Sequence, residues 1–404
     1  MIVAYLLSAL YIIGQLLPTA LLLRFRRAGR GFESRYGTAP LSEEGISVLM
    51  PVKGPEANLA ENIRALLGQD YQGKIELVLA FQEEKDADLA VADLIAAEYA
   101  GHPNRSVKIL RGMATLGLNF KNSNLAQAAS AATYDWLYCC DADTRVAPDH
   151  LRRAITLAQL HAYRGKTSFI TSISVHENAG QPGAWLEAIG TNMEFANYFL
   201  LSHLSPKAGA LNGASMFFHR ETLDAIGGFR AYLNKITDDL AMQKAFVQAG
   251  ALSILLPTLT RVSLRSQTFS GFYKRQLRWQ LIVRCFDPIT FYLLAPLNWA
   301  GQWLLFLAAL SGSAKLATLG LAVLGVRLLR SFVFQIALGT PVRDWAKSIC
   351  LPFYDFISPI IWLNTILVSQ VQWAGAKLNV RRDGTLCAIR AVTNSYSEVT
   401  NASR

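Results

Sequence analysis

The chain has 404 residues, room for one large domain or two modest ones. Thirty-nine Lys and Arg against 29 Asp and Glu give a net charge of +10, and 52% of residues are hydrophobic while 17% are charged. Ordinary soluble domains carry about a quarter charged residues, so this composition calls for membrane contact and excludes a largely disordered chain, while five cysteines without a C-x-x-C spacing exclude a disulfide framework and a zinc ribbon.

The first 23 residues are almost unbroken apolar sequence, just long enough to cross a hydrocarbon core of roughly 30 Å. Arg24, Arg26, Arg27, Arg30 and Arg35 follow at once. A secretory signal has its basic residues before the apolar run. The reversed order predicts an uncleaved anchor, with the N-terminus outside and the arginines in the cytoplasm; the alternative is a buried core helix.

Residues 45–284 read as a soluble α/β domain. Apolar runs at 46–52, 75–81, 107–110 and 136–140 predict strands. Helical spacing at 57–67, with Asn58 as cap, and at 87–99 and 122–132 predicts the helices between them. Such alternation implies a parallel sheet with right-handed crossovers. Ligands then bind beyond the carboxyl ends of the strands, where the loops at Lys53, at 83–86 and at 141–143 lie. Cys139 and Cys140, inside an apolar run, read as buried thiols in a reducing compartment.

Three further apolar stretches follow, at 289–310, 316–338 and 349–374. Three C-terminal crossings would leave both termini outside, yet Lys377, Arg381, Arg382 and Arg390 after the last stretch belong in the cytoplasm by the positive-inside rule. Either the last stretch is re-entrant or interfacial, or the rule fails. Arg327 and Arg330, costly inside a span, must snorkel or face the bundle interior. Residues 185–201 are apolar and aromatic but too polar to span; they read as a core helix or as an interfacial one. The division expected is an anchor at 1–23, a cytosolic catalytic domain at 45–284, a membrane region at 285–375 and a basic tail at 376–404, disordered from Thr393.

Asp141-Ala142-Asp143, emerging from an apolar strand, is the sharpest local signal. Two carboxylates one residue apart can share Mg²⁺, which is usually held by one or two carboxylates plus substrate phosphates. Asp86 ends a comparable strand and loop. Thr237-Asp238-Asp239 opens a helix over 240–249, where Asp238 could be a cap and Asp239 could favour the helix dipole. Arg275-Gln276-Leu277-Arg278-Trp279 precedes the first C-terminal span. It reads either as a basic juxtamembrane helix on anionic lipid or as a cationic and aromatic wall for a diphosphate, which Arg grips with its planar fork.

The order Pro51-Val52-Lys53-Gly54, Asp86, Asp141-Ala142-Asp143, Asp239, Arg275-x-x-Arg278-Trp279 and then spans resembles the ceramide glucosyltransferase family of family-2-like, GT-A glycosyltransferases. That family's pattern is three spaced aspartates followed by (Q/R)-x-x-R-W, and Arg275 takes the Gln/Arg position. Asn119-Phe120-Lys121-Asn122-Ser123-Asn124-Leu125, Gly213-Ala214-Ser215-Met216 and Trp373 fit it as well. Two departures are visible: the first family aspartate is often followed by Pro, whereas Ala87 follows Asp86 here, and the position of Asp143 can be non-acidic in relatives.

The resemblance implies a GT-A nucleotide-sugar-binding domain with a mostly parallel sheet, flanked by N- and C-terminal transmembrane helices. It also implies an inverting transfer of a hexose, glucose first, from a UDP-sugar to the hydroxyl of a lipid, ceramide first. Asp141 and Asp143 would hold Mg²⁺ or Mn²⁺. Lys121, Arg275 and Arg278 would add positive charge at the diphosphate, although Lys121 could equally be a surface or capping residue. Trp279 would stack or pack against the acceptor. Asp86 and the loop Pro51, Lys53 and Gly54 would contact the base or ribose, and Asp239 would be the general base. His176, His203 and His219 read as structural, although a histidine could touch the acceptor. Expected partners are the donor, the lipid and the bilayer, with no case for nucleic acid beyond charge. An Ala- and Arg-rich composition hints at a bacterium and hence at its inner membrane. Rival readings are a hopanoid N-acetylglucosaminyltransferase, a processive polysaccharide synthase with more spans, and an inactive membrane scaffold.

Overall fold

The computed structural model describes residues 1–37, 42–56, 58–177, 180–264, 268–373 and 376–389. Arg390 and the tail from Thr393 lie outside them. Eleven strands are seen among these residues: β1 (Ile46–Val52), β2 (Ile75–Phe81), β3 (Arg105–Leu110), β4 (Trp136–Cys139), β5 (Thr144–Arg145), β6 (Ser168–Glu177), β7 (Met216–His219), β8 (Leu252–Ser263), β9 (Gln370–Trp373), β10 (Ala376–Val380) and β11 (Leu386–Ala388). The first eight form one sheet in the order β3-β2-β1-β4-β7-β6-β8-β5.

The half from β3 to β4 is parallel, and its strands are the four expected from the apolar runs. β1 and β2 are buried on both faces, which is why they lack polar alternation. The far half is mixed. β7 runs antiparallel to both β4 and β6, whereas β6 and β8 are parallel. Because β7 is antiparallel to β4, the loop entering β7 lies at the carboxyl end of β4. Helices cover both faces of the sheet, and two apolar clusters fill the space between.

Four helices are long and apolar enough to cross a membrane: Ile2–Arg30, Thr290–Ser311, Ala314–Leu338 and Val342–Leu367. The first runs seven residues past the expected anchor. Its buried seam is Ser8, Tyr11, Gln15, Pro18, Leu22 and Phe25, alternating steps of three and four. Tyr11 meets Leu304 and Val323 with Ala4 and Leu316 close by, while Leu22 and Phe25 meet Phe334 and Leu338 beside Ile173, Val175 and Leu259 of the sheet domain. The first and third of these helices are therefore parallel, with their C-terminal ends at the domain, and the second runs the other way to the turn at Ser311–Ser313.

The last apolar helix does not follow this pattern, because both of its ends touch the domain. Near its start the Lys347 ammonium lies 5.8 Å from the Trp185 ring centroid. Near its end Arg284 donates to the carbonyls of Thr365 and Ile366. β9 follows directly and, with β10 and β11, forms an antiparallel sheet whose Val371, Leu378, Val380 and Leu386 join the domain core. The helix between lies along Phe269–Phe286, sharing the cluster of Leu186, Ile189, Phe272, Tyr354 and Ile361. Phe353, Phe356, Ile360, Leu363 and Leu367 point outward at helical spacing. Its outer face is therefore an apolar stripe, while both of its ends lie at the domain. Lys377, Arg381 and Arg382, which follow this helix, lie on the domain side of the bundle, as Arg24–Arg30 do. The residues read as a basic tail include two strands, Ala376–Val380 and Leu386–Ala388, joined by a turn.

The polar groups in the bundle are paired inward. Arg327 grips Asp355 at 2.5 Å through two nitrogens and reaches Glu194 at 2.8 Å. Arg330 donates to Gln15 Oε1 at 2.7 Å and to Asn197. Arg327 and Asp355 are each 1% exposed; neither arginine snorkels. Residues 185–201 lie within a largely buried helical run, Pro182–Gly190, a π turn Thr191–Phe195 and Ala196–Ser202. That run is sandwiched between domain and bundle, the core alternative of the two expected.

Candidate active site

The site lies at the carboxyl ends of β1, β2 and β4. Pro51 lies in β1, and the chain turns after the strand at Lys53 and Gly54. Asp86, after β2, accepts from Gly54 N at 2.9 Å and from Asp88 N at 2.9 Å, and Asp88 accepts from Glu56 N at 2.7 Å. A Cβ on Gly54 would meet Asp86 Oδ1 at 2.5 Å, so only glycine admits this approach. Lys53 lies 5.6 Å from the Phe120 ring centroid and 4.0 Å from Glu83. Asp86 therefore shapes the loop whose exposed end is Lys53. Asn58 is in the left-handed region, φ 65°, and its side chain donates to Ser263 Oγ at 3.4 Å instead of capping the helix Leu59–Leu67.

Asp141 and Asp143 follow β4. Lys121, in the first turn of the helix Phe120–Ala131 that Asn119 caps, places Nζ 2.8 Å from Asp141 Oδ1 and 2.9 Å from Asp238 Oδ2. It also donates to Gly213 O at 3.1 Å. Burial alone would lower the Lys121 pKa, but Asp141 and Asp238 outweigh it and hold the ammonium firmly charged. Lys121 is thus neither a cap nor a free surface residue. Asp238 stands at the N-cap of Asp239–Gln248 without a capping side-chain bond; its carboxylate is committed to Lys121.

Asp239 accepts from Leu240 N at 2.7 Å, from Thr237 Oγ1, and through Oδ2 from Gly213 N at 3.1 Å. Gly213 belongs to the loop entering β7. A Cβ there would meet Lys121 Nζ at 3.0 Å and Asp239 Oδ2 at 3.2 Å. Burial, and then the charge of Asp238, raise the Asp239 pKa above the usual carboxylate range. Asp143 is raised to about 7 by burial, then by Asp141 and Glu56.

Helix Phe269–Phe286 closes the site. Arg275 Nη1 donates to Glu187 Oε1 at 2.8 Å. Arg278, three residues on, lies 5.1 Å over the Trp373 ring, and among the described residues it makes no ion pair. Burial, then Arg275, lower its pKa to about 10, against the pull of Asp238, Asp239 and Glu187 nearby. The Trp279 ring lies 5.0 Å from that of Phe195, tilted by 51°, and sits edge-on to His176 at 6.5 Å. Asp141, Asp238 and Asp239 thus converge on Lys121 and Gly213, with Asp143, Arg275 and Arg278 close enough for charge to act. Asp86 is one loop away, at Gly54.

His203 bonds Ser253 at 2.8 Å and Phe199 O at 2.7 Å, and His219 caps a short helix. His176 instead stands 3.9 Å from Glu187, neutral because burial, then Arg275, depress its pKa to about 3. Cys139 and Cys140 are buried free thiols whose pKa burial pushes far up. The residue that sequence reasoning missed is Glu187, a 0% exposed carboxylate in the apolar helix Pro182–Gly190. Among the described residues no cluster of three or more His, Cys, Asp or Glu could hold a metal. A cation here would rest on Asp141 and Asp143 with substrate oxygens completing the shell, the manner of Mg²⁺ rather than zinc. Two carboxylates one residue apart on the loop that leaves β4 are the donor chemistry such a cation takes, so the residues present fit one.

The family model of glycosyl transferase family 21 matches residues 6–386. The chain belongs to glycosyl transferase family 21. This family 21 chain is a membrane-bound glycosyltransferase. Ceramide glucosyltransferase 1 of Caenorhabditis elegans is 24% identical over 354 residues, 85% of this chain and 73% of that protein. The ceramide glucosyltransferase of Komagataella phaffii is 24% identical over 205 residues, 46% of this chain and 39% of that protein. A solved mannosyltransferase of Pyrobaculum calidifontis, in complex with GDP-Man and Mn²⁺, is 16% identical; the match covers 87% of this chain and 99% of that one at a TM-score of 0.49.

Proposed function

We propose that this family 21 enzyme transfers a hexose, glucose first, from a UDP-sugar to the primary hydroxyl of a membrane lipid, ceramide first, with inversion at the anomeric carbon. The observation that carries the reading is the juxtaposition of carboxylates and cations along the carboxyl edge of the sheet, beside the helix whose two ends both touch the domain and whose outer stripe is apolar; we take that helix as re-entrant, which leaves three crossings. A lipid hydroxyl held at the bilayer surface needs its base and its leaving-group cations on that same edge. The names of the relatives support ceramide. The runner-up acceptor is a hopanoid polyol receiving N-acetylglucosamine, and the acceptor screen described in the Discussion separates the two.

Asp239 removes the acceptor proton as the hydroxyl oxygen bonds to the anomeric carbon, and the bond from that carbon to the diphosphate breaks with its electron pair leaving on UDP. A raised pKa makes Asp239 a stronger base near neutral pH than an ordinary aspartate. Gly213 N and Leu240 N hold its carboxylate in place. Lys121, Arg275 and Arg278 receive the charge that develops on the leaving group, and Lys53 with Gly54 and Asp86 would cradle the nucleoside. Mg²⁺ or Mn²⁺ bound by Asp141 and Asp143 would supply a Lewis-acid counter-charge to the diphosphate. A processive synthase fits less well: the three crossing helices close on one another through Tyr11, Leu304 and Val323 instead of lining a channel.

The test is Asp239→Asn. Transfer should fall by about 10²- to 10⁴-fold, the usual worth of a general base, with UDP affinity nearly intact. Near-normal turnover in that variant would remove Asp239 from its role.

A further inference from the structure

The side-chain cluster behind Arg275 is not used by the chemistry above. Glu187 is fully buried, and a buried carboxylate persists only when paired. It lies at the middle of the helix Pro182–Gly190, which packs by Leu186 and Ile189 against Phe272 and Leu277 of the helix that carries Arg275. Arg275 meets it at 2.8 Å, yet the Arg275 side chain remains 40% exposed. One nitrogen is anchored while the rest of the fork faces outward. Arg278 is one helical turn away on the same helix, and like charges at that spacing repel. Without that negative charge the half-exposed Arg275 fork would turn into solvent before any diphosphate arrived. His176, neutral and 3.9 Å from Glu187, fills the remaining side without adding a competing charge.

We propose that Glu187 is a positioning residue that holds the Arg275 guanidinium in the orientation in which it receives the donor diphosphate. The inference rests on the UDP-sugar reading above and adds a second layer to that site. It accounts for an Arg at the first position of the R-x-x-R-W string: a charged fork there needs a buried counter-charge.

The full-length protein is assayed for hexose transfer, and binding of UDP and of uridine is measured by calorimetry, for the wild type, Glu187→Gln, Glu187→Asp, Arg275→Ala and the Glu187→Gln/Arg275→Ala pair. Glu187→Gln should weaken UDP binding and raise the donor KM by about 10- to 100-fold, the usual worth of a hydrogen bond between charged groups, and leave uridine binding unchanged. Glu187→Asp should recover part of the loss. The pair should bind UDP no worse than Arg275→Ala alone, and since it removes both charges together it remains informative if Glu187→Gln alone does not fold. UDP affinity in Glu187→Gln within twofold of wild type, equal losses for UDP and uridine, or losses that multiply in the pair would overturn the assignment. A wild-type protein that binds no UDP overturns the functional reading and this inference together; normal wild-type binding with an unaffected Glu187→Gln overturns this inference alone.

Discussion

Replacing Lys121 with Met keeps most of the aliphatic stem and deletes the charge that joins Asp141 to Asp238. The ammonium is 2.8 and 2.9 Å from the two carboxylates. At an effective dielectric of about 20, each contact is a gross attraction of about 6 kcal/mol, most of it offset by desolvation. Breaking a buried pair leaves a net loss of about 3–5 kcal/mol. Asp141 is 38% exposed and therefore screened, whereas Asp238 is 11% exposed, so the lower end applies, about 3 kcal/mol. For a domain of this size that is a fall of roughly 6–12 °C in melting temperature. The assay is thermal unfolding of purified protein in detergent with divalent cations chelated. Adding Asp238→Asn to Lys121→Met should return part of the loss, because the stranded charge is then removed as well. Melting of Lys121→Met within about 2 °C of wild type would refute the reasoning that this lysine neutralises the carboxylate cluster.

Three further outcomes are expected. Because Asp143 titrates near pH 7 and a cation binds its ionised form, Mg²⁺ affinity should fall as pH drops through about 7, by up to about tenfold per pH unit for one competing proton, and level off above it. Calorimetric titration across pH checks this, and a dependence unchanged in Asp143→Asn would contradict it. Single cysteines at Arg382 and Ser311 should label from opposite sides of sealed vesicles, Arg382 from the side of the catalytic domain; labelling from one side would contradict three crossings. Asp355→Leu should lower thermal stability, since it strands the buried Arg327, and Arg327→Met/Asp355→Leu should melt higher than the single variant; equal melting of the two would argue that the pair holds nothing.

The parallel half of the sheet was legible because each strand is a short apolar run that stops at a polar loop, and Asp141-Ala142-Asp143 is such a stop. The antiparallel half was not. β7 has four residues, and β6 carries Ser168, Thr171, Ser172 and Ser174 among its apolar positions, so neither shows a clean run or a clean alternation. Its consequence for the site is large, since β7 brings Gly213 against Asp239. The C-terminal strands were hidden by charge: Lys377, Arg381 and Arg382 read as a tail, although Leu378 and Val380 alternate inward. The last apolar helix was half legible: the positive-inside conflict left a re-entrant reading open, while its length permitted a span. Glu187 left one signal, a carboxylate in an otherwise apolar helix; its partner is 88 positions away and no local pattern connects the two. Arg327 and Arg330 announced a buried polar network by their cost, but Glu194 and Asp355 could be assigned to it only in three dimensions.

The most direct measurement is a donor-by-acceptor screen of the purified enzyme, crossing UDP-glucose and UDP-N-acetylglucosamine with ceramide, diacylglycerol and a hopanoid polyol in the presence of Mg²⁺ or Mn²⁺, with products read by mass spectrometry. The account predicts a single hexose added to a lipid hydroxyl, with ceramide and UDP-glucose as the strongest pair. Polymeric sugar, or no glycolipid with any pair while UDP is bound normally, would contradict it.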